Sequence, residues 1–370
     1  MKIALDQNIP GARETFARHG EVMVFDGRRV NSEQLRDVQA LIVRSVTPVN
    51  SSLLKSTPVQ FVGTTTIGTD HLDITWLDQQ GICRASAPGC NADGAAQYTF
   101  SMILLACRRI GLECTDCSFG IVGHGNVGSR LHRLLKTSGV NRVFVCDPPL
   151  ANQGQQGFCD MDEISRCDII SFHVPLTASG VHATLELVDD RFLSRLPGGT
   201  LLLNTSRGKV TEGRALRQWL LSGCGYAALD VFPDEPAIDN ELLRALTVAT
   251  PHVAGHSLDG KLRGTMMVYR QFCDWLQSDL ACPDLLSDLH PKALANGPIS
   301  GVADAVLTVC PVERDDQALR KLTVLQPEAQ QPYFDSLRRE YPERRDFAGW
   351  RLPPDISSSL AVTLHSLGFR

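Results

Sequence analysis

Three residues late in the chain have the chemistry to move protons and hold anions, and each follows an apolar run. Leu201–Asn204 leads into Thr205-Ser206-Arg207-Gly208, and Tyr226–Asp230 into Val231-Phe232-Pro233-Asp234-Glu235-Pro236. Thr247–Thr250 leads into Pro251-His252-Val253-Ala254-Gly255. Histidine is the natural base near neutral pH. A glutamate on its far ring nitrogen would fix the tautomer and favour the imidazolium. An arginine would grip a carboxylate bidentately and polarise a developing carbonyl, a role lysine fills less well. Singly, these are an ordinary surface cation, a loop carboxylate and a core histidine. Together they suit oxidation at carbon 2 of a 2-hydroxy acid, with His252 as the base.

Such an oxidation needs a hydride acceptor, and the sequence has a loop suited to one. Gly123-His124-Gly125-Asn126-Val127-Gly128 follows the apolar strand Phe119–Val122 and opens the helix Asn126–Leu135. That context makes the glycine spacing informative. The glycines allow a tight turn, let backbone approach a pyrophosphate and let helix pack on strand. Free N–H groups at the helix start would face the phosphates. Asp147 stands nineteen residues beyond Gly128, at the end of the next strand. A carboxylate there accepts the ribose 2′-hydroxyl of NAD and repels the 2′-phosphate of NADP. Gly123, Gly125, Asn126, Val127, Gly128 and Asp147 are therefore the expected NAD site.

The elements that must hold these loops alternate. Strands at 2–5, 22–25, 40–43 and 60–63 are separated by segments of helical length, including a helix at 11–19. A second series runs 119–122, 143–146, 168–172, 201–204, 226–230 and 247–250. Strands alternating with helices predict parallel sheets and an α/β class. Between the series, residues 91–109 carry Asp93 early, Arg108 and Arg109 late, and apolar residues on most faces. That charge order suits the helix dipole, and the all-round apolar surface predicts burial between two domains. A long helix at 262–280 closes the second series. After Cys282-Pro283 the chain becomes more polar, with the run Arg338–Arg345, yet spaced apolar runs at 306–309, 322–325 and 360–364 predict a small folded α/β module.

Composition narrows the class. With 36 basic and 41 acidic residues the chain has a formal net charge of −5 and no basic cluster, which argues against nucleic acid. No apolar run is long enough to span a bilayer. At most four apolar residues precede Asp6, too few for a signal peptide, so a cytoplasmic protein is expected. The twelve cysteines are scattered and read as reduced core residues. Cys114-Thr115-Asp116-Cys117 has CxxC spacing but no second pair to complete a zinc site, so no metal is expected.

Over about residues 1–280 the chain resembles the D-isomer-specific 2-hydroxyacid dehydrogenases. The resemblance rests on GHGNVG with Asp147, HVPLT at 173–177, NTSRG at 204–208, LDVFPDEP at 229–236 and TPHVAG at 250–255. It implies that Arg207, Glu235 and His252 are catalytic, and that Val174, Asp230 and Gly255 join the cofactor site. It also implies a discontinuous plan of two Rossmann-like parallel-sheet domains. Residues 1–92 with a returning helix at about 256–280 would bind substrate, and 93–255 would bind NAD. Within the family, VRSVTPVN at 43–50, GTTTIGTDHLD at 63–73, CDPP at 146–149 and the tail resemble a branch acting on a phosphorylated 2-hydroxy acid. That implies substrate binding by Ser45 and Thr66, and a C-terminal α/β dimerisation domain at 281–370 that makes a homodimer. Arg44, beside Ser45, could hold the carboxylate or phosphate. His256 stands where the branch often has tyrosine and could still donate to a phosphate. Arg344 and Arg345 could reach a partner's phosphate site. A dehydrogenase for 3-phosphoglycerate, or an NAD-sensing binding protein of the same fold, is the alternative.

Overall fold

Short runs rich in Ile, Val and Leu, buried on both faces, become the strands of two parallel sheets. The computed structural model describes residues 1–294 and 299–370. The chain divides into two units, 1–91 with 257–290 and 92–256 with 291–370.

The first unit contains β1 (Lys2–Asp6), β2 (Glu21–Phe25), β3 (Ala40–Val43), β4 (Phe61–Thr64) and β5 (Cys83–Ala85). They are ordered β2-β1-β3-β4-β5 and pair in parallel throughout. β5 escaped the sequence reading because it has three residues with an exposed Arg84 at its centre. Residues 26–39, of helical length, form turns. The returning helix, expected at about 256–280, spans Leu258–Leu276, and the apolar run read at 262–280 is displaced from it by four residues at each end: the Ser257 hydroxyl accepts the Gly260 amide at 3.1 Å, and Gln277 ends the helix in a left-handed conformation. Its Tyr269 and Phe272 pack edge-on against Phe16 at 5.3 and 5.2 Å between ring centres.

The second unit carries β6 (Ser118–Val122), β7 (Arg142–Cys146), β8 (Ile169–Phe172), β9 (Thr200–Asn204), β10 (Gly225–Leu229) and β11 (Val248–Ala249). Their order is β7-β6-β8-β9-β10-β11, so the order reverses between β6 and β8. Ligands of such sheets bind beyond the strand ends at that reversal. Helix Ala92–Ile110 is buried on most faces. Its apolar surface is covered within this unit, by helices Asn126–Thr137, Val302–Val309 and Val312–Arg320 and by β10 and β11.

The C-terminal segment folds as helices Val302–Val309, Val312–Arg320, Pro327–Arg339 and Ser358–Leu367 with a two-stranded parallel sheet, β12 (Lys292–Ala293) and β13 (Trp350–Arg351). By its contacts, the part from 291 onward groups with residues 92–256. Val306, Val309, Phe347 and Leu364 share one buried cluster with Tyr98, Phe100 and Phe119. Leu319, Leu322 and Phe334 share another with Trp219 and Phe232. Asp316 accepts the Ala249 amide of edge strand β11 and pairs with Arg109, both at 2.8 Å, and with Arg320 at 3.0 Å. The apolar runs of the tail were spaced to cover this surface.

Candidate active site

The loops after β9, β10 and β11 lie at adjacent strand ends of the second unit. Glu235 accepts the Phe232 amide on Oε1 at 2.7 Å, which folds its own loop, and meets His252 Nδ1 with Oε2 at 2.7 Å. The ionised glutamate holds a proton on Nδ1 and leaves the Nε2 lone pair free to accept one. Burial works to raise the Glu235 carboxyl, but His252, the Phe232 amide and the Arg338 charge together hold it below the usual carboxylate range. His252 takes a left-handed backbone conformation, with φ of 57°. That is uncommon for a residue with a side chain and persists where neighbours over-determine it.

One such neighbour is Asp230, expected at the cofactor. Its carboxylate is buried and accepts the Thr250 hydroxyl at 2.6 Å and the Val253 and Ala254 amides at 2.9 Å each. Burial pushes this carboxyl up to about 6 against the pull of His252 and the three donors. Asp230 thus anchors the histidine loop. The Arg207 loop is anchored by Asn204, whose amide nitrogen donates to the Arg207 carbonyl at 2.9 Å and whose oxygen accepts the Ser206 amide at 2.9 Å. A Cβ at Gly208 would come within 1.8 Å of the Phe232 carbonyl, so only glycine lets this loop rest on the one carrying Glu235. Arg207 itself is half-buried.

At the β6/β8 reversal the three loop glycines have separate reasons. Gly123 has φ of 91°, and a Cβ there would press on the His173 carbonyl at 2.6 Å with Val174 beside it. A Cβ at Gly128 would meet the Gly123 carbonyl at 2.0 Å, whereas at Gly125 it would meet nothing within 4 Å. Gly125 and Asn126 are exposed, Val127 is half-buried, and no side chain caps helix Asn126–Thr137. The helix therefore offers open amides beside a bare backbone, a cradle that fits a dinucleotide pyrophosphate. Asp147 is half-buried; it accepts the His124 amide at 2.7 Å and the Leu150 amide at 3.0 Å. A carboxylate offers about four lone-pair sites, so acceptor capacity remains for a ribose. Gly255, half-exposed, continues the loop after Ala254.

In the first unit the strand order reverses between β1 and β3. Arg44, after β3, places Nε 3.1 Å from the Asp6 carboxylate at the end of β1 and keeps about a third of its side chain exposed. Ser45 beside it is exposed. The Thr66 hydroxyl lies 2.8 Å from that of Thr64, which in turn lies 3.0 Å from His71 Nε2. Burial lowers His71 to about 4, so it stays neutral. Sequence reading did not single out Asp6, Thr64 or His71; Asp6 and Thr64 end β1 and β4, and His71 lies in the loop that follows β4.

His256 returns to the second unit, where its ring lies 5.8 Å from that of Tyr341. Arg344 and Arg345, read as candidates to reach another subunit, are only 3% and 5% exposed and cannot extend outward. Cys114 and Cys117 sit in the apolar cluster beneath β6, and burial pushes the Cys117 thiol up to about 11. Among the described residues, no group of three or more His, Cys, Asp or Glu side chains could hold a metal, and no helix is long and apolar enough to cross a membrane.

Known proteins match this arrangement at two levels. Residues 104–254 fit the family described as D-isomer specific 2-hydroxyacid dehydrogenase, NAD binding domain, and residues 291–368 fit a domain of unknown function. Among solved structures, a D-lactate dehydrogenase of Aquifex aeolicus complexed with NAD and lactic acid superposes with a TM-score of 0.62. It shares 21% identity over 74% of this chain and 95% of its own. An NAD-bound 3-phosphoglycerate dehydrogenase of Entamoeba histolytica gives 0.64 and 23% over 76% of this chain and 96% of its own. These likenesses concern the fold. Full-length relatives are closer. The erythronate-4-phosphate dehydrogenase of Salmonella arizonae is 42% identical over all of this chain and 98% of its own length, and that of Proteus mirabilis 41% over 100% and 99%. The chain belongs to the erythronate-4-phosphate dehydrogenases, within the D-isomer specific 2-hydroxyacid dehydrogenase family.

Proposed function

We propose that this protein oxidises the 2-hydroxyl of 4-phospho-D-erythronate to the 2-oxo acid, a step toward pyridoxal 5′-phosphate. The observation that carries the reading is the 2.7 Å bond between Glu235 and His252 at the strand ends of a unit with a dinucleotide loop. His252 Nε2 takes the hydroxyl proton, and Glu235 stabilises the imidazolium that forms. Arg207 holds the carboxylate and polarises the developing carbonyl. NAD, when bound, supplies the hydride acceptor. Gly123, Gly125, Asn126, Val127 and Gly128 would hold its pyrophosphate, Asp147 its adenosine ribose, and Val174 and Gly255 would line its path. In the first unit Arg44, Ser45 and Thr66 bind the substrate's anionic groups, with His71 and Thr64 orienting the Thr66 hydroxyl, and His256 donates to the phosphate. The protein acts in the cytoplasm as a homodimer formed through its C-terminal segment.

The test is NADH formation with 4-phospho-D-erythronate, 3-phosphoglycerate and D-lactate side by side. The first should give the highest kcat/KM; a higher value for 3-phosphoglycerate would reassign the substrate. Absence of turnover on all three would favour an NAD-sensing role.

A further inference from the structure

The loop that carries His252 is held at two points, and the second lies in the C-terminal segment. Asp230 accepts the amides of Val253 and Ala254. Arg344 donates to the carbonyls of the same two residues, at 3.3 Å for Val253 and 2.5 Å for Ala254, and to the Gly94 carbonyl at 3.1 Å. Its guanidinium lies 4.7 Å from the centre of the Tyr98 ring. The Tyr98 and Tyr341 hydroxyls donate to Asp315 at 2.8 and 2.7 Å, keeping a carboxylate in the same buried neighbourhood. Burying a cation is costly, and a methionine would fill the space more cheaply. What only arginine supplies is a rigid fork of donors, and here one arm, Nη2, donates to the carbonyls of both residues after His252 while the other, Nη1, ties them to the Gly94 carbonyl of helix Ala92–Ile110. That histidine has the left-handed backbone that most needs holding.

We propose that Arg344 is a positioning residue for the proton transfer: by fixing the Val253 and Ala254 carbonyls it keeps His252 on Glu235. The inference rests on His252 being the base. In the full-length protein, Arg344→Met should lower kcat about 10²-fold, the loss a 1 Å misplacement can cause. NAD affinity and substrate KM should stay near wild type, and Arg344→Lys should recover part of the rate. Glu235→Gln should cost fewer-fold in the Arg344→Met background than in wild type, because coupled residues are not additive. Arg320→Met, which breaks bonds to Asp316 and to the Leu243 and Leu246 carbonyls, should lower Tm without lowering kcat. Folded Arg344 variants with unchanged kcat, full additivity with Glu235→Gln, or an equal kcat loss in Arg320→Met would overturn the proposal. Should Arg344→Met not fold, Arg344→Lys and Tyr98→Leu, which removes the ring under the guanidinium, carry the same comparison. Turnover surviving His252→Ala would instead sink the assignment of the base.

Discussion

The bond between Glu235 and His252 makes the proposed proton transfer testable by its pH dependence. Removing His252 should cut turnover by roughly the 10²–10⁴ typical of a lost general base. Glu235→Gln removes the negative charge that favours the imidazolium, so the acidic limb of the kcat/KM profile should move to lower pH. An unmoved limb would refute the pairing. The same glutamate makes a stability prediction. Its carboxyl lies below its ordinary value of 4.5 in the folded protein. Its stabilising contribution is therefore complete above about pH 4.5 and fades as pH falls below that. Urea melts of wild type and Glu235→Gln should differ more at pH 7 than at pH 4. With the ribose on Asp147, as proposed, Asp147→Ser should raise the ratio of NADP to NAD kcat/KM, and a constant ratio would displace the ribose from this residue.

At the scale of elements, the glycine loop separates folding from binding. At Gly128 a methyl group would strike backbone, so Gly128→Ala should lower stability by about 1–3 kcal/mol, as overpacking does, and weaken NAD binding with it. At Gly125 the space is open, so Gly125→Ala should leave Tm unchanged while weakening NAD binding. Melting curves with and without NAD read both effects, and equal Tm losses would contradict the division of roles. This loop, the strands of both series and the trio Arg207, Glu235 and His252 were legible because each pairs a local pattern with a chemical need. The anchoring of the histidine loop by Asp230 was not legible for a physical reason: an acid at a strand end looks the same in sequence whether or not it accepts the amides of the next loop. The start of helix Leu258–Leu276 was displaced because Gly260 and Gly264 weakened the apolar periodicity that Ser257 caps. Arg344 was invisible as a buried group, because a run of arginines and glutamates reads as a solvated face until the carbonyls it meets are known.

For the whole molecule, the C-terminal segment is part of the second unit's core and not an appendage. A chain ending at residue 290 would uncover the faces that Val306, Phe334, Phe347 and Leu364 bury. Large uncovered apolar patches promote association, so the truncated protein should aggregate, whereas the intact protein should run as a homodimer, the commonest closed assembly. Light scattering on both decides: a well-behaved truncated monomer that binds NAD would show that the segment serves only assembly, and an intact monomer would remove the dimer.

The chain passes from one unit to the other after residues 91, 256 and 290. During synthesis the first unit therefore has all its residues once 290 has been made, while the second still lacks Val306, Phe347, Leu364 and Phe369 of its core. The histidine loop leaves the ribosome almost a hundred residues before Arg344. Until then the nascent second unit carries an open apolar face, and contacts this distant in sequence form slowly. The first unit can settle first, and the histidine loop gains its Arg344 contacts only with the final stretch of translation.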